Sequence, residues 1–136
     1  MLQKIYINTD GGSRKNPGPA AIGIVIWDEK HNKLEEYKEC IGVATNNTAE
    51  YKAVLKALEL ASKHTRNEVH IFTDSELVVR QLNGLYRIKK DHLRDLFQEV
   101  KKNEQLFKKV VYNEVPRNNK YQVVADKLVN DALEGK

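Results

Sequence analysis

A single cysteine, Cys40, in 136 residues excludes an intramolecular disulfide and suits a reducing compartment. No apolar run approaches the ~20 residues of a membrane span. Met1-Leu2-Gln3-Lys4 leads directly into a strand pattern rather than a signal peptide, so the expectation is a cytoplasmic protein with no membrane association. There is no internal repeat and no low-complexity run, which excludes solenoid and fibrous classes. What remains is ordinary globular composition, 40% hydrophobic and 31% charged. The length fits one domain spanning residues 1–136, large enough to bury a core without staples.

The pattern begins with strands. Lys4–Asp10 alternates, with Ile5 and Ile7 on one side, and runs into Gly11-Gly12-Ser13, where a turn is expected. Gly11 to Pro19 is dense in turn formers and reads as irregular. Ala20–Trp27 is a second strand, with Ile22, Ile24 and Ile26 on one face. Lys33–Val43 is a third, more polar and so expected near a sheet edge. Short links make these three antiparallel neighbours. A helix over Thr48–His64 follows, with Asn47 as N-cap. Then come a strand at Val69–Thr73, a helix at Ser75–Asn83 stopped by Gly84, a helix at Asp91–Gln105, a strand at Lys109–Val115 and a last helix at Gln122–Leu133. Strands that are first antiparallel and then alternate with helices predict an α/β fold, a mixed sheet with helices on its faces.

Three of these segments deliver a carboxylate to an element end: Asp10 and Asp74 close strands, and Glu50 stands in the first turn of a helix. Asp126 lies at the margin of the last helix's apolar face. Each also has a plain reading. Glu50 is placed to be a capping-box partner of Asn47, and Asp126 is an acid near a helix N-terminus, where the dipole favours it. Taken together, converging carboxylates point to a divalent metal site and phosphodiester chemistry. With those four set aside, 15 acids face 23 Lys and Arg, a surplus of eight positive charges outside the site. A basic surface around an acidic pit suits a polyanion bound broadly and attacked at one place; a basic protein with no nucleic-acid role is the alternative on charge alone.

Four segments in order, Thr9-Asp10-Gly11-Gly12-Ser13, Thr45-Asn46-Asn47-Thr48-Ala49-Glu50-Tyr51, Phe72-Thr73-Asp74-Ser75 and Ala125-Asp126-Lys127-Leu128-Val129-Asn130, resemble type 1 ribonuclease H over essentially the whole chain. The resemblance implies a ribonuclease H-like, five-stranded sheet in which the first and fourth strands are neighbours. It also implies hydrolysis of the RNA strand of an RNA/DNA hybrid with Mg²⁺ or Mn²⁺, leaving 5′-phosphate and 3′-hydroxyl ends, with no obligatory protein partner. Two ions ~4 Å apart suit that chemistry, with Asp10 bridging both, Glu50 and Asp74 on the leaving-group side and Asp126 on the nucleophile side. By the same resemblance Gly11, Gly12, Asn16, Asn46 and Asn47 contact the RNA strand, and Thr45 holds a phosphate of the DNA strand. Only the 2′-hydroxyl carries RNA-versus-DNA information, so those amides and backbone groups are where strand choice is expected. The plain alternative leaves Asn46 and Asn47 to end a loop and cap a helix. Arg14, Lys15, Arg87, Lys89 and Lys90 are further candidates for backbone charge contacts.

The chain departs from the family in four places. Gly84 to Asp91 is too short for the basic helical handle that some members carry. The loop Pro116-Arg117-Asn118-Asn119-Lys120-Tyr121 lacks the histidine that others place before the final Asp, and resembles a handle-less branch. Within that branch position 122, here Gln, usually holds Asn, and Glu76 stands where many relatives have Gln.

Overall fold

A computed structural model describes residues 1–136. Its elements run β1 (Lys4–Ser13), β2 (Gly18–Trp27), β3 (Lys33–Ala44), α1 (Asn46–Ala61), β4 (Glu68–Thr73), α2 (Glu76–Leu82), α3 (Asp91–Glu104), β5 (Lys109–Glu114) and α4 (Gln122–Leu133). The five strands form one sheet in the order β3-β2-β1-β4-β5. β1, β2 and β3 pair antiparallel, while β1-β4 and β4-β5 pair parallel. The first and fourth strands are therefore neighbours, as the resemblance implies, and polar β3 lies at an edge.

Alternation along β1 sorts its side chains between two layers. Ile5 and Ile7 join Ile22, Ile24, Ile26, Val54, Leu58 and Ile71 in the core between the sheet and α1. α3 packs outside α1, and α4 packs on the other face against β1, β2 and β3. β2 is covered on both sides, so nearly its whole length is buried. Gly23 permits the second of those coverings, since a Cβ there would come 2.5 Å from the Ala125 carbonyl oxygen.

Two sequence expectations are corrected. The turn expected at Gly11-Gly12-Ser13 lies further on: these residues extend β1 and pair with Ile22, Ala21 and Ala20. Turn-forming composition is outweighed there by continued pairing with β2. Gly11 is needed for packing rather than turning, because a Cβ would sit 2.3 Å from the Ala49 carbonyl carbon of α1. Secondly, α1 begins two residues early. Thr45, not Asn47, is its N-cap, extended at φ −81° and ψ 163°, with its hydroxyl accepting from the Thr48 N–H at 3.2 Å.

Candidate active site

The corrected cap decides what Glu50 is for. With Thr45 as N-cap, Glu50 falls in the second turn of α1, outside capping-box range. Its carboxylate instead accepts the Gly11 N–H at 2.8 Å, which ties α1 to β1 beside Asp10. Asp74 follows the last residue of β4, on the strand beside β1. One carboxylate oxygen from each of Asp10, Glu50 and Asp74 lies within 4.8 Å of the others. Asp126, on the second turn of α4, lies outside that group of three but lines the same cavity, near enough for its charge to raise the Asp10 carboxyl. Four elements thus bring four carboxylates to one cavity of about 380 Å³, which Arg14, Asn46 and Arg117 also line.

Gathering these charges is costly, and it pushes three of the carboxyls above their ordinary range. Burial first, then the Asp74 and Asp126 charges, raise the Asp10 carboxyl from the usual 3.8 to about 8. Glu50 is pushed well up by the enclosure of its carboxyl and by the charges of Asp10 and Asp74, against the opposing Gly11 N–H. Asp74 is raised by burial, an effect that its own backbone N–H and the Arg117 guanidinium oppose. A divalent cation is the natural relief: oxygen-only, anionic donors drawn together by the fold are what hard cations select.

The position of α4 is set by a chain of buried amides; sequence reading noted Gln122 as a departure but did not connect it with Asn8. Trp27 Nε1–H donates to Asn8 Oδ1 at 3.0 Å, and Asn8 Nδ2–H donates to Gln122 Oε1 at 3.0 Å. Gln122 Nε2–H donates to the Thr9 carbonyl at 2.8 Å. Asn8 and Gln122 are 3% and 1% exposed, so these partners are obligatory rather than optional. Asn119 Oδ1 completes the anchorage by accepting the Tyr121 and Gln122 backbone N–H groups. The result fixes the start of α4 against β1, one turn before Asp126 and two residues before Asp10. The available signal was parity: Asn8 shares the sheet face of Asp10.

The expected substrate contacts divide between two places. Gly11, Gly12 and Asn46 line the acid cavity. The Gly11 N–H is already engaged by Glu50. Asn46 Oδ1 accepts the Ser13 N–H at 2.8 Å, and its backbone N–H donates to Asn16 Oδ1 at 2.9 Å, so Asn16 and Asn46 support each other across the β1–β2 loop. The Thr45 hydroxyl, besides capping, donates to Thr48 Oγ1 at 3.0 Å. Asn47 instead lines a separate cleft of about 460 Å³ with Arg87, Lys89, Lys90 and Tyr86. That basic segment is braced by Glu76, which accepts from the Tyr86 hydroxyl at 2.9 Å, and by Gln81, whose Nε2–H donates to the Arg87 carbonyl at 3.2 Å. Of the remaining basic candidates, Arg14 pairs with Glu134 at 3.7 Å, and Lys15 is exposed beside the acid cavity's outer loop.

Residues 8–132 match the family model described as reverse transcriptase-like. A Mycobacterium tuberculosis relative named "Bifunctional protein Rv2228c" is 41% identical over 133 residues, covering 96% of this chain but 36% of its own length. The crystal structure of RNase H1 from the archaeon Halobacterium salinarum superposes with a TM-score of 0.92 at 34% identity, covering 98% of this chain and 99% of that one. A structure of LC11-RNase H1 in complex with RNA/DNA hybrid gives 0.89 at 42% identity, over 96% and 97% of the two chains. The chain therefore spans about a third of the mycobacterial relative and nearly all of the two solved enzymes.

Proposed function

The chain belongs to the reverse transcriptase-like family and, within it, to type 1 ribonuclease H; from that membership we propose that it hydrolyses the RNA strand of RNA/DNA hybrids, residues 1–136 acting as a single catalytic domain. The observation that carries the reading is the convergence of Asp10, Glu50 and Asp74 oxygens within 4.8 Å, with Asp126 against Asp10. No other group of acids in the fold comes together in this way.

Asp10, Glu50, Asp74 and Asp126 would hold Mg²⁺ or Mn²⁺. Such a cation supplies, when bound, an activated water and charge stabilisation at the phosphate. The chain's own residues do the rest. The Gly11 N–H orients Glu50, and the Asn8–Gln122 amide chain holds α4 so that Asp126 faces Asp10. Arg117 lies near Asp74 in the same cavity, where a guanidinium can meet a phosphate oxygen. The Gly12 backbone and the Asn46 and Asn16 amides stand at the edge of the cavity, in reach of ribose 2′-hydroxyls. Thr45, the N-cap of α1, would hold a phosphate of the DNA strand, Asn47 in the neighbouring cleft would contact the RNA strand, and Arg87, Lys89 and Lys90 in that cleft would meet backbone charge. No helix is long and apolar enough to cross a membrane. A free, exposed Cys40 supports a reducing, cytoplasmic setting, and the enzyme is proposed to need no obligatory protein partner.

The test is a strand-labelled hybrid incubated with Mg²⁺, with Mn²⁺ and with EDTA. Cuts confined to the RNA strand, dependent on metal and leaving 5′-phosphate and 3′-hydroxyl ends, are expected. Cyclic phosphate ends, or equal cutting of the DNA strand, would overturn the reading.

A further inference from the structure

We propose that a second cleft, on the same face of the sheet as the acid site, takes an unpaired nucleobase. The topology makes room for it. On that face α4 packs over β1, β2 and β3, so the side chains of β4 and β5 stand uncovered beside its N-terminus. Tyr6 pairs in register with His70, Asn8 with Phe72, and Phe72 in turn with Asn113, which puts these residues side by side along one patch. The loop before α4 and the β2–β3 turn close its sides, leaving a cavity of about 470 Å³. That is a size at which small-molecule sites occur.

The walls have the chemistry of a base site. Tyr6 and Phe72 stand edge to face at 5.9 Å and 73°. His31 lies flat between Tyr6, 5.1 Å away at 25°, and Tyr121, 4.1 Å away at 15°, so a planar heterocycle already stacks at this spacing. Aromatic residues make up only 7% of the chain, and this grouping of half-exposed rings serves neither the core nor the acid cavity. Hydrogen-bonding groups lie at the edges. Asn119 uses its Oδ1 on the start of α4, which leaves its NH₂ group to donate, while the Asn113 amide offers both a donor and an acceptor. Glu29, on the rim, can only accept, which suits a base bearing an exocyclic amino group and disfavours a phosphate at that spot. Stacking surfaces with amide edges are how unpaired bases are held.

Location names the source of the base, and this step rests on the proposed hybrid-cleaving activity. Asn8 on the cleft floor and Asp10 in the acid site are two residues apart on β1, about 7 Å, roughly two nucleotides at duplex spacing. One loop serves both cavities, giving Arg117 to the acid site and Asn119 and Tyr121 to the aromatic cleft. Lys120, whose ammonium lies 5.0 Å from the Tyr121 ring centre, adds a cation beside the path. A single strand extending beyond the hybrid can therefore pass over this loop and seat a base among the rings.

The test measures binding in EDTA, where cleavage is off, using the fluorescence of Trp27, the chain's one tryptophan, 5.2 Å from Tyr121. The probes are a blunt hybrid, the same hybrid with a short 3′ or 5′ single-stranded extension, and adenosine monophosphate alone. Phe72→Leu, which removes the ring and keeps apolar bulk, and Asn113→Ala, milder for the fold, are compared with the wild type. An extension at one end should tighten binding roughly fivefold or more, and both substitutions should erase that gain while leaving blunt-hybrid binding unchanged. Adenosine monophosphate binding that is lost in both variants, without a gain from either extension, would assign the base to a free nucleotide. Neither effect, or effects that survive both substitutions, would overturn the site. Cleavage of the blunt hybrid in Mg²⁺, run in parallel, tests the catalytic reading separately, because its failure would leave the binding result intact.

Discussion

Asn8 and Asp10 are two residues apart on the same face of β1, both nearly buried at 3% and 7% exposure, and their circumstances are opposite. Asn8 has both ends of its amide paired, to Trp27 and Gln122. Asp10 faces the charges of Asp74 and Asp126 and has a carboxyl raised to about 8. Burial costs a polar group little when its partners are present and a great deal when its neighbours repel it. The satisfied pair is also what holds the unsatisfied one. Without a firm seat for α4, Asp126 would draw away from Asp10 and relieve their repulsion. Strain at the site is sustained by order one step down the strand.

The largest effect should come from the strained side. Asp10→Asn removes a proposed metal ligand and, with it, the cost of keeping a buried carboxyl protonated among acids, so cleavage of hybrid should fall by roughly three orders of magnitude or more. In metal-free buffer the same variant should melt at a higher temperature than the wild type. Near-normal turnover in Mg²⁺ would show that the site is elsewhere.

Next comes the satisfied side. Gln122→Met keeps the volume and removes both bonds, orphaning Asn8 Nδ2 and the Thr9 carbonyl, at about 1–3 kcal/mol for each group. Denaturant unfolding should show the loss, and kcat should fall more than KM changes, since Asp126 is displaced rather than the substrate track. Gln122→Asn, able to keep one of the two bonds, should fall between. If all three proteins match in kcat, α4 is positioned by something other than this amide chain.

The comparison also predicts a pH dependence with a definite sign. The folded protein raises the Asp10 carboxyl from 3.8 to about 8 and raises Glu50 and Asp74 in the same direction. Protonated acids favour the folded state, so this contribution is fully present below the ordinary carboxylate range. It is lost as pH rises from about 4 toward 8. Melting temperature in EDTA should decline across that window, less steeply in Asp10→Asn, whereas the Asn8–Gln122 pair has no proton to lose. A flat profile in the wild type would contradict the repulsion.

These contrasts were only partly legible in the sequence. Alternation delivered Asp10, and apolar spacing delivered α4 with its bounds, because both are local periodicities. The choice of cap among Thr45, Asn46 and Asn47 was not legible, since all three side chains can cap. Thr45 takes the role because the backbone is extended there and helical from Asn46. Nor was the Asn8–Gln122 bond, between residues 114 apart, which no local pattern encodes. Gly11 was read as a turn residue and in fact extends β1 and makes room for Ala49, a contact that exists only once α1 packs on β1.

The smallest expected effect lies outside both regions. Arg87, Lys89 and Lys90 line an open cleft rather than a buried site. Lys89→Ala with Lys90→Ala should therefore raise KM for hybrid several-fold at low salt, less at physiological salt, and leave kcat unchanged. An unchanged KM would place this segment off the substrate path.

The most direct measurement of the central claim, that Asp10, Glu50 and Asp74 are kept from full ionisation until a cation arrives, is proton release on metal binding. Mn²⁺ titrated into the protein at pH 7 by calorimetry, in buffers of different ionisation enthalpy, reports the protons displaced. The account predicts release in the wild type, because Asp10 at about 8 still holds its proton at that pH, and less release in Asp10→Asn. Mn²⁺ binding with no proton displaced, or with equal release from both proteins, would contradict it.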